Sequence, residues 1–153
     1  LGDVYKRQMY ARLRDHQFSL YEDYARKRGL QGKSLLILLW IYRHPKGISQ
    51  QTITRHTYST KQVVNAVIKN FSKKGYIKST VHPKDRRKKL IMLTEKGRQF
   101  AAFIIDPMDE AEKKAFSQLS AKQQQTLIET THLFTDVLTQ EFMRLIKEIC
   151  PDI

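Results

Sequence analysis

Between Ile48 and Phe100 the apolar residues change period twice, from helical spacing to alternation and back, and this confines the chain to a narrow set of folds. Ser49 is placed to cap a short helix, QQTITRH, and Thr57-Tyr58 to make a turn. Ser59 then starts a second helix, with Gln62 three residues on to complete a capping box. That helix sets Val64, Val67, Ile68 and Phe71 on one face, and Lys61, Gln62, Asn65, Lys69 and Asn70 largely on the other. Lys73-Lys74-Gly75 is a helix stop, with cations in the last turn and glycine just past it. Tyr76 to Val81 alternates apolar and polar as a half-buried strand does, and Leu90 to Leu93 is a second β-prone run. Between them His82 to Lys89 reads as a loop carrying five Lys/Arg against one acid. The whole is a helix-turn-helix with a β-hairpin wing, and a wing that cationic suits a phosphate backbone or a minor groove.

The run HPKDRRKKLIMLTEKGRQF, preceded by a helix ending KKGYI, resembles the wing of the MarR (multiple-antibiotic-resistance regulator) transcription factors. Asp85, Arg86, Arg87, Leu93, Thr94 and Gly97 match the family's D-R-R tip, L-x-L-T and E-x-G as they stand. The resemblance implies a mainly α fold with a small β-hairpin wing, in which a winged helix-turn-helix is flanked by N- and C-terminal dimerisation helices. It also implies that outward positions of the second helix read the major groove: Thr60, Lys61, Gln62, Asn65 and Lys69 are the candidates here. Ala66 stands where many members carry arginine, so that base contact is absent. Gln62 and Asn65 carry amides able to pair bidentately with adenine, whereas Lys61 suits guanine or a phosphate. On the wing the candidates are Lys84, Asp85, Arg86, Arg87 and Lys88, with Asp85 in the place where the family steadies an arginine that enters the minor groove. Many members are released from DNA by small aromatic molecules, and His16, Tyr24, Trp40, Phe100 and Phe103 are the residues placed to line such a pocket.

The distribution of charge supports a polyanionic partner independently of any family. The formal net charge is +13. Residues 61–98 hold 12 Lys/Arg against 2 Asp/Glu, while residues 99–153 hold 5 against 9, so the excess peaks where the second helix and wing lie. A merely basic, solvated surface would spread it evenly.

Other classes find little support. The chain shows no glycine-rich phosphate loop, no G-x-S-x-G, no H-E-x-x-H and no supported carboxylate pair, so an enzyme is not expected. None of the five histidines has a partner at metal-ligand spacing, so neither metal nor cofactor is expected. Cys150 is the single cysteine, a passive thiol in this reading, and fits a reducing cytoplasm. The longest apolar run, Leu35 to Ile41, is seven residues, well short of the roughly 20 that span a bilayer, so no membrane association is expected.

The remaining segments complete the expected organisation. Residues 1–8 continue no amphipathic pattern, whereas Met9 opens one, so these eight are read as extraneous or disordered. Residues 9–32 form a dimerisation helix with Tyr10, Leu13, Gln17, Leu20, Tyr21 and Tyr24 near one stripe, ended by Gly29 and Gly32. Residues 33–100 are the DNA-binding lobe, in which Ser34 caps a buried apolar helix, Leu35 to Arg43, and Gly47-Ile48 adds a very short strand to the wing. Residues 101–153 are dimerisation helices. Thr94 caps a long helix in which Pro107 predicts a kink or break, and Ser120 caps a last one. In that last helix Leu127, Thr131, Phe134, Leu138, Phe142, Leu145 and Ile149 recur at spacings of three and four, a seam that wants a partner helix. A two-fold homodimer would set two reading helices roughly 34 Å apart, matching a pseudo-palindromic site in double-stranded DNA. The leading reading is a sequence-specific transcriptional regulator, a repressor. The alternative is a winged-helix module that binds nucleic acid without specificity, or binds protein.

Overall fold

The computed structural model describes residues 2–152 and holds six helices and one two-stranded antiparallel sheet. The chain divides into two units, residues 1–107 and 108–153, and each is taken by itself.

In the first unit, α1 (Gly2–Lys27) is helical from its first described residue, seven positions before the expected start at Met9. Residues 2–10 are all exposed. α2 (Ser34–Tyr42) buries Leu35, Ile37, Leu38 and Ile41, as a helix apolar all round should. Its cap differs from the expectation: Lys33 holds the N-cap position with no side-chain bond to the helix's own N–H groups, and Ser34 lies inside the first turn. α3 (Gln50–His56) is capped by Ser49, whose oxygen accepts the Thr52 N–H at 3.1 Å. α4 (Lys61–Lys73) ends at Gly75, which takes a positive φ of 74° that an L side chain would resist.

The sheet joins β1 (Ile77–His82) to β2 (Asp85–Leu93), and Ile48 adds a single bridge to Ile91, the very short third strand expected near Gly47. β2 is nine residues rather than four. The expected eight-residue basic loop is therefore mostly strand, leaving Pro83-Lys84 as the turn. Pairing at either end, Val81 with Lys89 and His82 with Asp85, carries the strand across an Arg/Lys run of low β propensity.

α5 (Glu95–Ser117) begins at Thr94, whose hydroxyl oxygen accepts the Gly97 N–H at 3.0 Å. The helix continues through Pro107 without a break. Before it, Ala101, Ile104 and Ile105 sink into the core with Ile37, Leu38, Ile41, Ile53, Val64 and Phe71. Gly97 lies so close to the end of α4 that a Cβ there would stand 1.9 Å from the Tyr76 carbonyl oxygen. The same carbonyl accepts the Thr94 N–H at 2.9 Å.

In the second unit, α6 (Ala121–Ile149) is capped by Ser120 as expected, in a capping box with Gln123. None of its residues is buried within the chain, and Leu127, Leu138, Phe142, Leu145 and Ile149 of the apolar seam are exposed.

Candidate nucleic-acid interface

The N-terminus of α4 is built one residue later than the sequence suggests. Thr60, not Ser59, is the N-cap: its side-chain oxygen accepts the Val63 N–H at 3.2 Å, and no capping box with Gln62 forms. Ser59 is drawn into the turn instead, its hydroxyl 2.7 Å from that of Thr57, which also donates to the Ile53 carbonyl at 2.7 Å. Two threonine/serine hydroxyls compete for the cap, and the one already satisfied inside the turn loses. Thr60 is thus engaged in capping, whereas Gln62, Asn65, Ala66 and Lys69 stand exposed along α4 with Lys61 at its start. On the opposite face Val64 and Phe71 are buried and Val67 and Ile68 half-buried, as the spacing requires.

A clamp ties the turn between α3 and α4 to the start of α2. Lys33 reaches from the start of α2 and donates from Nζ to the carbonyls of Thr57 at 2.8 Å and Tyr58 at 2.9 Å. Those carbonyls end α3 and carry the partial negative charge of its dipole, so an ammonium is the fitting partner. Tyr58 takes φ of 51°, and the residue is 92% exposed.

An open groove of about 890 Å³ runs beside the turn, lined by Gln50, Gln51, Thr54, Arg55, Tyr58 and Ser59 together with Lys61 and Asn65. Sequence reasoning placed only Lys61 and Asn65 of these at the interface. Gln50, Arg55 and Tyr58 line the same groove without having been expected there, because a seven-residue helix spans too few turns to reveal which face is free. Gln50 donates from Nε2 to Asn65 Oδ1, tying the first residue of α3 to the centre of the α4 face.

The wing carries a bulge. Register passes from Val81↔Lys89 directly to His82↔Asp85, so Arg86, Arg87 and Lys88 of β2 stand opposite no residue of β1. All three, with Lys84 and Lys89, are exposed. Asp85 is half-buried, and its Oδ1 accepts the backbone N–H of Arg87 at 3.0 Å, so the carboxylate steadies the main chain of the arginine pair. His82 supplies the other brace, its Nδ1 accepting the Lys84 N–H at 3.0 Å. The unpaired ribbon tip thereby presents three cations on a fixed backbone.

The five aromatic candidates are distributed among separate places. His16 is exposed on α1. Tyr24 donates its hydroxyl to the Ile104 carbonyl, and Arg28 lies 4.4 Å from the ring centroid of Phe103, a residue 62% exposed. Trp40 packs on His44 and His56, with ring centroids 5.7 and 4.6 Å away. Phe100 stacks on Tyr76 at 4.2 Å, almost parallel. Tyr24 and Phe103 are brought near one another through Arg28, which also lies 5.5 Å from the Tyr24 ring.

Comparison with known proteins agrees with this architecture. The MarR family model matches residues 28–88. No curated protein matches the chain. Among solved structures, NMB1585 of Neisseria meningitidis, a MarR family regulator, shares 23% identity, with 90% of this chain and 95% of that one covered and a TM-score of 0.73. MepR of Staphylococcus aureus, in its complex with DNA, shares 20% identity over 85% of this chain and 94% of its own, at a TM-score of 0.72. PcaV of Streptomyces coelicolor, a transcriptional regulator solved with its natural ligand, shares 15% over 81% and 89%, at 0.61. Residues 28–88 thus resemble the MarR family's winged-helix lobe, and the chain shares the fold of these solved regulators.

Proposed function

We propose that this protein is a sequence-specific double-stranded DNA-binding transcriptional regulator. It acts as a homodimer on a pseudo-palindromic operator, as a repressor, and is released by a small aromatic effector. The observation that carries the reading is the pairing, on one lobe, of a bulged cationic wing tip at Arg86, Arg87 and Lys88 with an exposed polar face of α4 centred on Asn65. Wing cations neutralise phosphates and set affinity, and amides at base edges set specificity. The exposed apolar residues of α6, and Leu13, Phe18 and Leu20 on α1, support a partner chain, because apolar surface on this scale marks an interaction site. MepR in its DNA complex and PcaV with its ligand supply precedents for the two binding functions.

The test is binding to a labelled duplex carrying the gene's own upstream region, against excess competitor DNA and at two salt concentrations. Retention of one fragment by two subunits supports the regulator. Uniform, salt-sensitive binding to every duplex would instead favour a non-specific nucleic-acid module. Salicylate, as a probe of the effector, should raise the melting temperature or release the duplex.

A further inference from the structure

We propose that Gln50, which lies on α3 outside the reading helix, sets base preference by holding Asn65 with its oxygen turned toward α3, leaving N–H groups for the major-groove edge. The inference rests on the reading of α4 as the helix that meets DNA. Gln50 Nε2 donates to Asn65 Oδ1, and both side chains line the groove beside Lys61. A side-chain amide has one acceptor oxygen and one donor nitrogen at opposite ends of a plane. Committing the oxygen to Gln50 makes the nitrogen the end that is free. Such an amide favours a base edge that offers an acceptor, guanine O6 or N7, thymine O4 or adenine N7, and disfavours the amino group of cytosine. Asn65 is then a donor at one position of the site rather than the bidentate adenine partner its residue type suggests.

The backbone beneath the pair is built to keep it. The Thr54 hydroxyl donates to the Gln50 carbonyl at 2.9 Å, Ser49 caps the turn that carries Gln50, and Lys33 ties the turn between α3 and α4 to the start of α2. Ile53 and Val64, one on each helix, are fully buried. Gln50 is therefore a positioning residue, acting on DNA through Asn65.

The experiment is selection of bound duplexes from a randomised pool with the full chain and with Gln50→Glu, Gln50→Ala and Asn65→Ala. A carboxylate only accepts, so Gln50→Glu turns the Asn65 amide over. Preference at one position should then move from acceptor-bearing edges to the amino groups of cytosine or adenine. Gln50→Ala frees the amide, and should flatten preference at that same position with an affinity loss of about 3- to 10-fold, the size of one neutral hydrogen bond. Asn65→Ala should flatten the same position. Should both Gln50 variants keep the parent's preference at every position while binding all duplexes more weakly, Gln50 is only a structural or phosphate contact and the proposal falls. Should the parent protein itself select no sequence, base reading by α4 fails, and the role of Gln50 with it. A poorly folded variant lowers binding to all duplexes alike, so loss of affinity alone does not count as a change of preference.

Discussion

Two single residues carry consequences out of proportion to their size. At Gly97 the first turn of α5 passes so near the Tyr76 carbonyl that a methyl group has no room, and the obstacle is backbone rather than a flexible side chain. Gly97→Ala should therefore destabilise the lobe by about 3 kcal/mol, the upper end of overpacking costs, measurable as a shift in the midpoint of denaturant unfolding. A midpoint within error of the parent would mean that α5 slides away from Tyr76 at little cost. Asn65 carries the second consequence. Its replacement by alanine should weaken binding to the selected duplex by about 1–3 kcal/mol and relax one position of the site; an equal loss on every duplex would argue against base reading.

At the scale of elements the wing is the most informative. A D-R-R run is legible as a motif, yet the sequence alone made its surroundings a loop. The structure extends β2 back to Asp85 and bulges Arg86, Arg87 and Lys88 out of the ladder, with Asp85 and His82 bracing the tip. Cations fixed in this way should each displace condensed counterions. Replacing Arg86 and Arg87 together with alanine should flatten the dependence of log K on log salt by up to about two units, and an unchanged slope would remove both from the DNA contact. The helices α3 and α4 were legible in outline, because Val64, Val67, Ile68 and Phe71 keep helical spacing. Their joint was not: Lys33, 24 residues before Thr57, supplies the clamp, and no local pattern announces so distant a partner.

For the whole molecule, the two units leave different apolar surfaces uncovered. α6 buries none of its residues within the chain, though Leu127, Leu138, Phe142 and Leu145 repeat at helical spacing. A helix amphipathic over 29 residues with an uncovered apolar face should associate. Sedimentation at micromolar concentration should show twice the 18.0 kDa mass, and Leu138→Glu, placing a charge in the seam, should shift it toward monomer and weaken duplex binding. A parent protein that sediments at the mass of one chain would leave the seam to some other partner.

The sequence by itself determined the order of the elements, the face of α4 turned to the core, the capping box of Ser120 and the concentration of cations over residues 61–98. Each depends on neighbours within about one turn or one strand pair, so spacing and residue type suffice. Tertiary structure alone decided that Thr60 caps α4, that the arginine tip is a bulge, that Gly97 meets Tyr76 and that Gln50 holds Asn65. These depend on which of several competent groups finds its partner first satisfied, and on backbone separations of a few tenths of an ångström between segments distant in sequence. Periodicity is averaged over a whole element and carries no information at that resolution; packing fixes it, because a buried core leaves each side chain and backbone segment few positions without a clash.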